Sequence, residues 1–224
     1  MQEASVLNTA PIGLLGKHPG YGDFLQAGLG ASIVEALNQW LDASLGGLRD
    51  EMGNDWPAFW DRAQELRFWV GRGHFGQTLA GVLRPSHDKV GRRFPLLLLT
   101  QGADLPAPTD PASDQSLWDR FSAHLDKAQP GQGAAALLHG LDLALPDEAA
   151  KASQGPQVWA HHPEGDLAAL LRSAATVERE RAMLTRVHFW TKGEAGRAAQ
   201  WIAGPQMPDA RVMGWLLGGM PEAA

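Results

Sequence analysis

Apolar residues recur at helical spacing from Ile33 onward. Ile33, Val34, Leu37, Trp40, Leu41, Leu45 and Leu48 form one stripe, which predicts an amphipathic helix lying on a core. Ser32 and Glu35 stand at capping-box spacing at its start, so the helix is expected to begin there. Trp40 lies in the stripe and is expected to be largely buried. Gly46-Gly47 are expected to loosen the helix end. A second, short helix is expected over Pro57–Gln64, carrying Phe59 and Trp60.

The pattern then changes to short apolar runs bounded by turn residues. Leu66–Val70 and Leu79–Arg84 are predicted strands, and the glycine-rich Gly71–Gly76 between them reads as a hairpin turn. Pro85–Arg93 is a polar loop. Phe94–Thr100 follows, and its continuous Leu96–Leu99 predicts a strand covered on both faces. Ile12–Gly16 is a further short strand. After it comes a turn in which Gly16, Gly20 and Gly22 suggest positive φ or close backbone approach. Strands joined by short turns favour antiparallel pairing.

The second half is predicted to be mainly helical. Gly102–Asp114 holds Pro106, Pro108 and Pro111, with Leu105 as its one large apolar residue, and reads as a linker or surface excursion outside the core. Helices are expected from near Ser113 or Asp114, with Leu117, Trp118, Phe121 and Leu125 on one side, and over Ala134–Ala144. Gln157–Ala160 is a candidate strand. Asp166 is placed to cap a helix running to about Leu184, with Leu167, Leu170, Leu171, Ala174 and Val177 as its apolar face. Strands at Arg186–Thr191 and Trp201–Ala203 and a last helix at Asp209–Leu217 complete the pattern. The fold class is α+β, a mostly antiparallel central sheet covered by helices in α/β/α layers. The expected organisation is one domain over 1–224, with a core of about 11–218, a Pro-rich linker near 102–114 and a helical insert to about 156.

Composition narrows the function classes. A chain of 224 residues buries roughly 70% of its unfolded surface, so it needs no disulfide or metal to stay folded. It contains no cysteine. That excludes disulfides, thiolate metal sites and cysteine nucleophiles, and it fits a reducing compartment. The first residues carry neither a basic stretch nor a long apolar run, and Leu96–Leu99 is far too short to span a bilayer. A soluble, cytoplasmic protein without membrane insertion is expected. The net charge of −6 disfavours nucleic acid and anionic membrane surfaces; Lys89, Arg92 and Arg93 form only a small basic cluster. Nine Trp against one Tyr point to aromatic packing in and near the core.

Candidate chemistry is sparse. Gly13-Leu14-Leu15-Gly16-Lys17-His18 lacks the spacing and the hydroxyl of a P-loop. His161-His162-Pro163-Glu164-Gly165-Asp166 is the densest His/carboxylate cluster. Adjacent strand histidines point to opposite faces, so a polar surface loop is favoured over a metal site. Pro85-Ser86-His87-Asp88 places triad residue types side by side. Triad members converge in space and rarely in sequence, so Ser86 is expected to bond the backbone of its own turn. No cofactor is expected.

Two segments carry a resemblance. Gly13-Leu14-Leu15-Gly16-Lys17-His18-Pro19-Gly20-Tyr21-Gly22-Asp23-Phe24 resembles the G-x-x-G-K-x-P-x-x-G-D-F opening of the TagF (ImpM) family of type VI secretion proteins. The stretch from Gly81 to Leu96 is similar to that family's G-V-x-x-P-S-x-D-x-V-G-R-x-F-P-L pattern. Phe189-Trp190-Thr191 and Gly204-Pro205-Gln206-Met207-Pro208 resemble its W-W-T and G-L-P elements, with Phe189 in place of the first Trp. The resemblance covers 11–100 and, more loosely, 157–218; the stretch 101–156 carries no matching motif. It implies a non-enzymatic negative regulator that holds type VI secretion off post-translationally. It further implies association with the system's forkhead-associated scaffold protein and its threonine kinase/phosphatase circuit. No catalytic, cofactor or metal residue is implied. The alternatives are a hydrolase using Ser86 with a nearby His, or a structural component of the secretion apparatus.

The signature residues are the candidates for partner contact: Gly16, Lys17, Pro19, Gly22, Asp23 and Phe24 in the first segment, and Pro85, Ser86, Asp88, Lys89, Gly91, Arg92, Phe94 and Pro95 in the second. Read as residues alone, Asp23 could accept backbone N–H groups and close its turn. Arg92 could pair with Asp23 or Asp88 as a lock between the loops. Both segments flank apolar strands, so the loops are expected side by side at one edge of the sheet, with Lys17 and Lys89 exposed.

Overall fold

The structure is a computed structural model that describes residues 9–147, 163–193 and 196–219. Among the described residues seven strands form one sheet: β1 (Ile12–Gly16), β2 (Leu25–Ala27), β3 (Leu66–Val70), β4 (Leu79–Arg84), β5 (Leu96–Gln101), β6 (Val187–Thr191) and β7 (Gln200–Gly204). Their spatial order is β2-β1-β5-β4-β3-β6-β7, and every neighbouring pair is antiparallel. The helices are α1 (Ala31–Met52), α2 (Trp56–Trp60), α3 (Ser116–Leu125), α4 (Leu167–Leu184) and α5 (Ala210–Gly218). The chain is α+β.

The alternation of side chains along each strand divides the core in two. Leu15, Leu66, Phe68, Leu83, Leu97 and Phe189 face one layer and pack with α1, α2 and α5. Leu14, Trp69, Val82, Leu98 and Trp190 face the other, beneath Leu117, Trp118 and Phe121 of α3 and Leu137 of a 3-10 helix, Ala134–Leu138. Burial on both faces explains why β4 and β5 read as apolar runs rather than alternating ones, and why β3 is apolar on both sides of its one charged residue, Arg67. Gly81 on β4 leaves no room for a side chain: a Cβ there would meet the Leu98 carbonyl oxygen on β5 at 2.4 Å.

Several sequence expectations are corrected. Helix α1 is capped by Gly30 with no side-chain cap, so Ser32 and Glu35 make no capping box, and it runs through Gly46-Gly47 to Met52. Trp40 is only partly buried: its indole donates to the Pro208 carbonyl at 2.8 Å while its ring meets Phe189. Helix α2 ends at Trp60, and the 134–144 segment holds only the 3-10 turn. The proline-rich stretch after β5 is not outside the core. Ala103 and Ala107 are buried, and the Leu105 carbonyl accepts from the Trp69 indole at 3.2 Å. Asp166 caps α4 as expected, through the Ala169 N–H at 2.9 Å, but Leu167 and Leu171 are exposed at 64% and 58%, so the expected apolar face is not a core face. The short strand β2 had no strand signal, since three residues are too few to show a period. Gln157–Ala160, His161 and His162 lie outside the described residues.

Candidate functional site

The register of the sheet places the two signature segments together. Gly16 at the end of β1 lies opposite Leu96 at the start of β5, and Leu96 lies opposite Arg84 at the end of β4. The loop leaving β1 and the loop joining β4 to β5 therefore emerge at the same end of adjacent strands. Backbone hydrogen bonds join them: Lys17 N–H to the Pro95 carbonyl at 3.1 Å, and Lys89 N–H to the Tyr21 carbonyl at 2.7 Å. Phe24 and Phe94 meet edge to face at 5.5 Å. Gly16 is required at this junction, because its φ is +128° and a Cβ would lie 1.9 Å from the Pro95 carbonyl oxygen.

Asp88 is the lock. Its side chain is fully buried, and its carboxylate accepts four donors. One oxygen takes the Val90 N–H at 3.1 Å and the Arg92 N–H at 2.9 Å. The other takes Arg92 Nε at 2.6 Å and Lys17 Nζ at 3.1 Å. Arg92 then reaches across with Nη2 to the Gly22 carbonyl at 2.7 Å. Burial alone would raise the Asp88 pKa; the hydrogen bonds from Arg92, Lys17 and Val90 outweigh it and hold the carboxyl well below the usual carboxylate range. The turn is closed by Gly91 at φ +85°, whose N–H donates to the Asp88 carbonyl at 2.9 Å.

The loop is also tied to the sheet's first layer. The Trp60 indole donates to the Ser86 carbonyl at 2.8 Å, and Phe94 N–H donates to the same oxygen at 3.1 Å. Arg93 grips Asp61 with two bonds, 2.9 and 2.7 Å, and Arg93 first of all lowers the Asp61 pKa. Tyr21 carries the platform toward the other layer: its hydroxyl accepts from Gly131 N–H at 2.8 Å and donates to the Gly133 carbonyl at 3.2 Å. His18 sits among these loops, and burial, then the nearby His87, lower its pKa.

Each signature residue now has a place. Gly16, Asp88 and Pro95 are buried; Lys17, Pro85, Ser86 and Phe94 are partly so; Pro19, Gly22, Asp23, Phe24, Lys89, Gly91 and Arg92 are exposed. Two expectations change. Lys17 is not a free surface lysine, since its side chain is 17% exposed and paired to Asp88. Asp23 is exposed and closes no turn among the described residues; Asp88, not Asp23, is the partner of Arg92. Gly22 meets no crowding and has no positive φ; its carbonyl is what the lock uses. Trp60 and Tyr21 were missed as parts of this site, because aromatic residues in sequence carry no sign of which loop they will hold.

Ser86, His87 and Asp88 form no proton relay. The Asp88 carboxylate is turned to Lys17 and Arg92, His87 Nδ1 lies 2.9 Å from the Asp88 main-chain oxygen, and Ser86 is held by its carbonyl rather than by its hydroxyl. Among the described residues no group of three His, Asp or Glu side chains could hold a metal ion, and no helix is long and apolar enough to cross a membrane.

Comparison with known proteins places the chain. No curated protein matches it. Its structure is similar to that of PA0076 from Pseudomonas aeruginosa PAO1, known from a crystal structure at 2.05 Å resolution. The two share 26% sequence identity and a TM-score of 0.70 over 95% of this chain and 96% of that one. Residues 13–142 match the TagF N-terminal domain of type VI secretion system-associated proteins. The match takes in both signature loops and continues through 101–142, where no motif was recognised. A match over more than half of the 224 residues makes the chain a member of the TagF family of type VI secretion system-associated proteins.

Proposed function

We propose that the protein is a non-enzymatic, post-translational negative regulator of type VI secretion that acts in the cytoplasm by binding another protein. The observation that carries this reading is the pair of signature loops, drawn into one surface by Asp88 and anchored to both layers of the core. Loops held on a rigid scaffold are where recognition concentrates. Buried members of the signature keep the shape, and exposed members make the contact: Phe24 is 40% exposed and Val90 71%, with Lys89 beside them. The partner proposed is the forkhead-associated scaffold protein of the system, within its threonine kinase/phosphatase circuit.

The test is a pull-down of that scaffold by Lys89→Glu and Val90→Asp variants, together with a secretion assay. Both residues are exposed, so melting should shift by no more than about 0.5 kcal/mol of stability. Weakened capture with secretion released supports the reading. Capture equal to wild type in both variants removes this surface, and a deletion strain that secretes no more than its parent removes the regulatory role.

A further inference from the structure

A second site lies at the same end of the sheet, on its other face. The start of β3, the end of β4, α3 and the segment after β6 enclose a cleft of about 590 Å³. That is a volume suited to a small ligand. Three cations, Arg67, Arg84 and Lys192, line it together with three carboxylates, Glu65, Asp119 and Asp126.

The cleft's wall is built and rigid. Arg67 is buried on β3, with a side chain 5% exposed, and donates to Gln115 at 2.9 Å and to Asp119 at 2.5 Å. Arg84 spends its guanidinium on Glu65 at 2.7 Å, Asp126 at 2.8 Å and the Ser122 carbonyl at 3.0 Å. These groups hold one another and have little left to offer.

The remaining capacity is specific. Gln64 is 7% exposed and lines the cleft; its carboxamide makes no hydrogen bond to the described residues and is not sealed from solvent, so it stays open to the cleft as donor and acceptor. Lys192 gives one of its N–H groups to Asp119 at 3.3 Å and is 72% exposed, so the rest of its donors stay open. Asp119 uses a single oxygen for both Arg67 and Lys192; its other oxygen is free to accept. Its carboxyl is kept ionised, chiefly by the Arg67 hydrogen bond.

We propose that this cleft binds a free zwitterionic amino acid, its carboxylate on Lys192 and the Gln64 amide and its ammonium on Asp119. A ligand of one sign meets three like charges here, whereas one carrying both signs at fixed separation satisfies every open group. Arg84 also lines the cleft and is followed directly by Pro85, the first residue of the signature loop, so the two sites share a strand end.

The experiment is isothermal titration and thermal shift on the purified full chain, with the standard L-amino acids as probes. One or more should bind once per chain with a Kd of about 1 mM or tighter. Its N-acetyl and C-amide derivatives should bind at least about tenfold more weakly. Lys192→Met and Gln64→Leu should each weaken binding by about tenfold while Lys192→Met leaves the unliganded melt unchanged. No binding at about 10 mM, capped derivatives binding as well as the parent, or full affinity in Lys192→Met would each overturn the proposal. None of these outcomes depends on the secretion partner.

Discussion

Trp60→Phe tests whether the signature loop is fastened to the core through one bond. Trp60 is 2% exposed, meets Trp56 at 4.9 Å between ring centroids, and donates its indole N–H to the Ser86 carbonyl at 2.8 Å. Phenylalanine keeps an aromatic ring in the site but removes this donor. The Ser86 carbonyl still accepts from Phe94 N–H at 3.1 Å, so the polar loss falls at the low end for a buried group, about 1 kcal/mol. The ring is also smaller, and at roughly 24 cal/mol per Å³ the unfilled space costs about 1 kcal/mol more. Their sum, about 2 kcal/mol, should lower Tm by about 4–8 °C in a chain of this size. Urea unfolding followed by far-UV circular dichroism measures it without relying on the altered fluorophore. Trp201→Phe is the control: Trp201 is 57% exposed and should change stability by no more than about 0.5 kcal/mol. A loss below about 1 kcal/mol for Trp60→Phe would show that the Ser86 bond contributes nothing and that the loop is held elsewhere.

Lys17→Glu and Lys89→Glu should separate in thermal melts: the first sets a second carboxylate against buried Asp88 and should cost about 3 kcal/mol, the low end for a broken buried pair, while exposed Lys89 should cost no more than about 0.5 kcal/mol. The depressed pKa of Asp88 gives a pH signature. Its contribution is present above the unfolded carboxylate value of about 3.9 and is lost as pH falls through the lower folded value. Asp88→Asn should therefore lower the urea midpoint at neutral pH, and its gap to wild type should narrow in acid; a gap that stays constant with pH contradicts the lock. Gly16→Ala meets the Pro95 carbonyl oxygen at 1.9 Å in a left-handed conformation, so it should destabilise by at least about 3 kcal/mol and yield little soluble protein; a normal melt would show that the loop junction can yield.

Much of the fold was legible in the chain. β1, β3 and β4 fall where the apolar runs and bounding glycines put them, because strand period and turn chemistry are local properties. Asp166 and Asp209 were readable as helix starts for the same reason, and both accept a backbone N–H three residues on. The capping box failed because Ser32/Glu35 spacing is necessary but not sufficient: the chain enters α1 two residues too early, with Gly30 rather than Ser32 at the cap.

The site was legible as a set of residues and not as an arrangement. Two dense motifs and an Arg with two possible acid partners are sequence facts; nothing local distinguished Asp23 from Asp88. The sheet decided between them. Placing Gly16 and Arg84 on either side of Leu96 brings Lys17 and Arg92 to Asp88 and leaves Asp23 in water. The same holds for Trp60 and Ser86, and for the charged cleft, whose members come from β3, β4, α3 and the segment after β6. Sequence by itself determined the local elements and the family signature, since period, caps and turns act within a few residues. Which charges meet, and which lysine is free, only the tertiary structure decided, because burial and electrostatic pairing depend on distances between segments that the chain's order does not encode.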